Sequence, residues 1–381
     1  MKVSIIIPTR NRGHLLQYAL ESAVLQEFKD LEIIVSDNNS KDNTREVVES
    51  FSDLRIKYFK TDEDLTMPDN WESALSKSNG EYVTFLTDDS FLFRNCIKEV
   101  IEELEKVNLK VAIWKHCTYF SSDWLEPGRK NLLYIPKTTS KSFVIDSKES
   151  LKDLFNNPGK VPIKIPRVLN SICHRSIIEK IKSVQGRFFL PSCPDYTSAA
   201  SIMLNESKYL IIDKPYFIDY VTSYSAGATT AFNLGKGAKE YIGEFNKEED
   251  VSFLGIPVIS ADIAKSLEEV RKFYPECVEV NKDNLLFEIV DQLNKIESNK
   301  GEISMYWKKL DSYLNNHPLK KRLYLYRIFS RIKWKLMNKI RSSSYLRFIE
   351  APRIKSRNII LKGHEKGFNN VKEAAKIVYE F

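Results

Sequence analysis

The sequence predicts an α/β protein, with a mostly parallel sheet flanked by helices followed by a mainly helical C-terminal region. Three observations carry this. Short apolar, β-branched runs alternate with helix-like segments through the first 90 or so residues. The strand-like runs end in polar clusters, Pro8 to Arg12, Asp37 to Asn39 and Thr87 to Ser90. Beyond about residue 240 the alternation gives way to helical segments such as "ADIAKSLEEVRKFY" and "DNLLFEIVDQLNKIES".

"KVSIIIPT" (2–9) is the first strand, and "HLLQYALESAVLQ" (14–26) repeats its apolar residues at helical spacing. "LEIIVSDNNS" (31–40) is the second strand, with Asp37 and Asn38 at its end, and Ser40 or Asp42 can cap the helix "NTREVVESF". "RIKYFK" (55–60) is the third strand. "PDNWESALSKSNG" (68–80) is a helix opened by Pro68 and stopped at Gly80, and "EYVTFLT" is the fourth strand.

A chain of 381 residues suits two domains, or one α/β domain with a large appendage, at roughly 100–200 residues per domain. The expected division is 1–235 and 236–381. A hydrophobic content of 43% with 29% charge excludes a disordered chain. Cys96, Cys117, Cys173, Cys193 and Cys277 are scattered without metal-ligand spacing and read as buried thiols in a reducing compartment. The N-terminal apolar run breaks at Pro8, too short for a signal peptide or a membrane span, so a cytoplasmic protein is expected. The net charge of +7 leaves attraction to an anionic surface open.

Ligands of open α/β sheets sit beyond the carboxyl ends of the strands. Pro8 to Arg12, Asp37 to Asn39 and Thr87 to Ser90 all fall there, so three distant polar clusters should meet at one crevice. The last of them, in "EYVTFLTDDSFLF" (81–93), sets two carboxylates side by side at the end of a buried strand. Asp89 or Ser90 could simply cap a following helix. A divalent cation would instead turn the mutual repulsion of Asp88 and Asp89 into attraction.

Together, "SIIIPTRNRGHLLQYALESAVLQ", "EIIVSDNNSKDNT" and "NWESALSKSNGEYVTFLTDDS" resemble the family 2 glycosyltransferases. These are enzymes of the GT-A fold, Rossmann-like, that move a sugar from a nucleoside diphosphate to an acceptor with inversion. The resemblance is close over residues 1–120 and weaker to about 235. It implies that Pro8, Thr9 and Arg12 contact the nucleoside and that Asp37 holds a uracil-type base. Asn39 stands where many relatives have Gly.

In the family's D-x-D motif, Thr87 takes the first position, Asp88 the middle and Asp89 the last. The resemblance thus implies Asp89 as ligand of Mg²⁺ or Mn²⁺, with Asp88 facing the ribose or the metal's water shell. It also implies a general base in "GRFFLPSCPDYTSAASIML" (186–204), which would be Asp195; Pro194 replaces the usual Glu of an E-D pair. As a plain residue Asp195 could be the cap of the helix after it.

Trp71 resembles a family feature near the nucleotide, yet an aromatic on an amphipathic helix is more often core. The five histidines show no ligand spacing. "VTSYSAGATTAFNLGKG" (221–237) should be a mobile loop, either closing over the donor with Ser223, Ser225 and Lys236 near the phosphates or serving as a linker.

"LKKRLYLYRIFSRIKWKLMNKIRSSSYLRF" (319–348) holds ten Lys or Arg and no acidic residue, interleaved with large apolar side chains. Docking on an anionic membrane surface, packing on its own domain and nucleic-acid binding compete for it; the nucleotide-sugar site gives nucleic acid no role. The sequence therefore predicts an inverting glycosyltransferase using a nucleotide-sugar donor, UDP-linked, and a glycan or lipid-linked acceptor. Its place would be surface polysaccharide assembly at the inner face of the cell membrane. A catalytically silent assembly protein is the alternative, and a sugar nucleotidyltransferase a weaker one, since "PTRNRGHLL" lacks a Gly-rich phosphate loop.

Overall fold

The structure, a computed structural model, describes residues 2–124, 127–160, 164–225, 253–298, 303–342 and 358–379. Strands β1 (Val3–Thr9), β2 (Leu31–Asp37), β3 (Ile56–Lys60) and β4 (Tyr82–Phe85) run parallel in the order β3-β2-β1-β4. Helices α1 (Gly13–Val24), α2 (Thr44–Glu49) and α3 (Met67–Ser76) make the crossovers. Every residue of β1 and β2 is buried, because helices cover both faces; hence the unbroken Ile and Val runs. Gly80 ends the turn into β4 pressed against Ser4, whose N and Oγ a side chain there would strike.

Because the four strands share one direction, their carboxyl ends open at one edge. Thr9 lies directly beside Asp37 in the β1–β2 register, and the Leu86 N–H donates to the Ile6 carbonyl at 2.9 Å, carrying the chain to Asp88 next to β1. The two aspartates lead into a short strand, β5 (Ser90–Leu92), and the next helix, α4 (Cys96–Val107), has Asn95 as its cap residue. Asp88 and Asp89 therefore cap no helix.

Past this point the sheet is mixed. β6 (Val111–Phe120), β7 (Leu132–Pro136), β8 (Ser142–Asp146), β9 (Ser171–His174) and β10 (Lys208–Val221) extend it; β9 pairs antiparallel with β4 and β6, while the long β10 runs parallel to β6. Helices α5 (Ser147–Asn156), α6 (Arg175–Gln185) and α7 (Pro194–Asn205) lie between these strands in sequence. Trp71 is core, stacked on Phe85 at 5.3 Å and edge-on to Phe189 at 5.4 Å. Cys96, Cys117 and Cys173 are buried.

The C-terminal part holds α8 (Ile259–Arg271), α9 (Lys282–Ser298), α10 (Ser304–Tyr313), α11 (Lys320–Ser342), β11 (Asn358–Lys362), α12 (Gly363–Lys366) and α13 (Val371–Tyr379). It is helical but not separate. One continuous apolar core joins Leu154, Phe189 and Ala200 to Leu267, Leu285 and Trp307, crossing the change of pattern near residue 235. β11 adds antiparallel to β7, and Val371, Ala374 and Ala375 of α13 cover Phe91 and Phe93 beside β5. The element behind the two aspartates is thus supported by the end of the chain.

Candidate active site

The first wall of the crevice is stitched from the ends of β1 and β2. Asn11 and Asn39 both adopt left-handed backbone, φ 52° and 53°, a conformation Asn tolerates better than other side-chain-bearing residues. Position 39 can therefore be Asn as well as Gly. The Asn11 N–H donates to Ser40 Oγ at 2.8 Å, and Asn11 Oδ1 accepts from the Lys41 N–H at 2.7 Å. Asp42 joins two helix starts, accepting from the Gly13 N–H at 2.9 Å and the Thr44 N–H at 3.1 Å. Burial works against its charge, but these bonds and the Thr44 hydroxyl hold its carboxyl below the usual range.

Asp37 is wholly buried. Its Oδ1 accepts from the Ser40 N–H at 2.8 Å and its Oδ2 from the Tyr58 hydroxyl at 2.6 Å. Burial, then that bond, pushes the Tyr58 phenol far up, so it stays a donor. Asp37 thus holds the turn after β2 to β3.

Thr9, Arg12 and Asp88 meet directly. Thr9 Oγ1 donates to Asp88 Oδ2 at 2.8 Å and Arg12 Nη1 to Asp88 Oδ1 at 3.2 Å, while Arg12 Nη2 donates to the Tyr224 carbonyl at 2.7 Å. Pro8, the residue before Thr9, is buried in the strand. Burial, aided by the charge of Asp89, lifts the Asp88 carboxyl above its ordinary range against the pull of Arg12 and Thr9. Asp89 is more open: its Oδ2 accepts from Ser225 Oγ at 2.8 Å and its carbonyl from the Tyr220 N–H at 2.9 Å. The turn at 222–225 is thereby tied to both aspartates; Ser223 binds Asp123 instead, at 2.5 Å. Residues 226–237, Lys236 among them, lie outside the described residues.

The second wall contains Asp195, in the first turn of α7, with Arg167 Nη1 at 3.7 Å from its Oδ2. Burial raises the Asp195 carboxyl above its ordinary range, opposed by Arg167 and by the N–H groups at the helix start. Between the two walls stands Asp219, on β10 and in register with Ser90 of β5. Burial first, and the Asp89 charge second, push its carboxyl up to about 7 against the attraction of Arg167. His116 on β6 also faces Arg167; burial and that cation press its imidazole down to about 4, and among the described residues its Nδ1 has no hydrogen-bond partner.

A chain of interacting charges, Arg12, Asp88, Asp89, Asp219, Arg167 and Asp195, therefore runs from one wall to the other. Asp219 and Arg167 were not singled out from the sequence. Asp219 obeys the strand-end rule that found Asp88, in "YFIDYVTS"; Arg167, in "IPRVLN", sits in no recognisable pattern.

Residues 4–163 match the family model described as Glycosyl transferase family 2. This stretch is a family 2 glycosyltransferase domain. It carries the β1–β4 sheet and both aspartates, and the α/β sheet with its flanking helices is the GT-A architecture that membership implies. The chain is 44% identical over 105 residues to the GalNAc(5)-diNAcBac-PP-undecaprenol beta-1,3-glucosyltransferase of Campylobacter jejuni, covering 27% of this chain and 34% of that one. It is 32% identical over 107 residues to the UDP-Glc:alpha-D-GlcNAc-diphosphoundecaprenol beta-1,3-glucosyltransferase of Escherichia coli, covering 28% and 42%. The glycosyltransferase match thus spans about a third to two fifths of these relatives' lengths. Among solved structures, S. aureus TarS 1-349 in complex with UDP-GlcNAc superposes with a TM-score of 0.47 at 15% identity, over 89% of this chain and 92% of that one. So loose a likeness does not bear on what this chain binds.

Proposed function

We propose that the chain is an inverting, metal-assisted glycosyltransferase that moves a sugar from a UDP-linked donor to a hydroxyl of a lipid-linked glycan in surface polysaccharide assembly. The observation that carries this is the line of charge across the crevice, with cation-seeking carboxylates at one end and a carboxylate suited to proton transfer at the other. The undecaprenol-linked substrates in the names of both relatives support the acceptor class.

Pro8, Thr9 and Arg12 would border the nucleoside, with Asp88 fixed by Thr9 and Arg12 so that it orients the ribose side. Asp37 would take a base N–H by exchanging it for the Tyr58 hydroxyl. Among the described residues no group of three His, Cys, Asp or Glu side chains is gathered for a metal. Mg²⁺ and Mn²⁺ sites of this class need only one or two carboxylates, the rest coming from phosphate and water. Asp89 fits that part, because its charge acts on Asp88 and on Asp219 and a cation beside it would relieve both. When bound, the metal supplies Lewis-acid neutralisation of the departing diphosphate.

Asp195 would accept the proton of the acceptor hydroxyl. The hydroxyl oxygen then bonds to the anomeric carbon from the face opposite the diphosphate, and the bond to UDP breaks with its electron pair leaving on the diphosphate oxygen. Calorimetric titration with UDP and GDP, each with Mn²⁺ and with EDTA, tests the donor site. UDP binding that needs Mn²⁺ and disappears in Asp89→Ala is expected; binding of neither nucleotide would sink the proposal and favour a silent assembly protein.

A further inference from the structure

We infer that the outward face of α11 is a docking surface for an anionic lipid bilayer. The inference rests on the proposed function only for its purpose, the meeting with a lipid-linked acceptor. Helix α11 packs one face on α9: Leu323 and Ser330 are buried, Ser330 Oγ donates to Asp291 at 2.6 Å, and Asn294 Nδ2 reaches the Arg327 carbonyl at 3.0 Å. At 3.6 residues per turn the opposite face carries Tyr324, Leu325, Ile328, Phe329, Ile332 and Leu336. All six are exposed, between 45% and 67%. Leu325, Phe329, Ile332 and Leu336 succeed one another at intervals of four, three and four, which makes an unbroken apolar stripe.

A helix that serves only its own domain would show water the Lys and Arg side and bury the apolar one. Here a second apolar face is left over. Its surroundings say what covers it. The helix holds nine Lys or Arg and no acidic residue. Arg327, Arg331 and Lys333 pair with Asp311, Glu297 and Asp291 on the protein side. Lys321 and Lys335 are exposed and flank the stripe. Apolar side chains between cations match the acyl boundary and the phosphates of anionic headgroups. Among the described residues no helix is long and apolar enough to cross a membrane, so α11 would lie on the surface rather than span it.

The test is co-sedimentation of the full chain with vesicles of phosphatidylcholine alone and of phosphatidylcholine mixed with phosphatidylglycerol. Binding to the anionic vesicles only is expected. It should weaken about tenfold or more in a Leu325→Gln, Phe329→Gln, Ile332→Gln variant, and fall with added salt in Lys321→Glu, Lys335→Glu as in the parent chain but from a lower start. The substituted side chains are exposed, and unchanged circular dichroism and UDP titration would show that fold and donor site survive. No binding to either vesicle, or equal binding by the triple variant, would overturn the inference. So would light scattering that finds a parent dimer and a monomeric triple variant, or RNA binding without vesicle binding. Failure of UDP binding alongside intact vesicle binding would strike the glycosyltransferase proposal and leave this one standing.

Discussion

Asp88 and Asp195 are alike in kind and opposite in circumstance. Each is a carboxylate lifted by burial and faced by one arginine. Asp88 is 6% exposed, has Arg12 at 3.2 Å and accepts a second bond from Thr9, so both of its oxygens are engaged. Asp195 is 18% exposed and its arginine stands off at 3.7 Å. The difference is the one the proposed roles of anchor and base require. A carboxylate tied at both oxygens holds geometry, whereas one with an arginine just out of bonding range keeps an oxygen open to an incoming hydroxyl. The two walls are also propped differently: α13 backs the strand after Asp88, and α8 shares the core of α7 beneath Asp195.

Asp195 is where that contrast is most readily broken. Asp195→Asn should lower turnover roughly 10²–10⁴-fold and leave metal-dependent UDP affinity unchanged, read as UDP release with membrane glycolipid supplied. Turnover within a few-fold of the parent would remove the base assignment. At the anchor, Arg12→Met leaves a buried charge unpaired and should cost on the order of 3 kcal/mol of stability, seen as a lower urea midpoint. Arg167→Met should cost less, because its pair is looser and more open; its mark is an acid limb of the activity profile moved to higher pH, since the cation that keeps Asp195 ionised is gone. Equal destabilisation by the two would erase the distinction between anchor and base.

Between the walls the effect depends on pH. The Asp219 carboxyl is raised to about 7 in the folded chain, so its contribution to stability is present in acid and lost as pH rises through that value. Asp219→Asn should therefore raise the urea midpoint at pH 8 in EDTA, and the advantage should shrink as pH falls below about 7. An advantage that grows in acid would contradict the environment described for Asp219.

The parallel β1–β4 sheet was legible because its signal is local. Continuous Ile and Val runs, a proline at a helix start and a glycine at a helix end need no partner to be recognised. The strand-end rule then brought Thr9, Arg12 and Asp88 to one edge, and the structure joins those three by hydrogen bonds. The same reasoning could not show that Asp37 is wholly buried, since that depends on Tyr58, which meets it from β3. Nor could it decide whether "TDDS" capped a helix, because only the pairing of Ser90 to Leu92 with β10 makes that segment a strand.

By itself, then, the sequence determined the alternation of strand and helix through the first four strands, the pair of carboxylates at their end and the basic, apolar character of α11, all of them properties of spacing and composition. Tertiary structure alone decided that Arg167 and Asp219 bridge the two walls, that residues 358–379 return to support β5, and that α11 turns an apolar stripe outward. Each of these depends on side chains distant in sequence meeting in space, and no periodicity along the chain encodes which distant residue will be the neighbour.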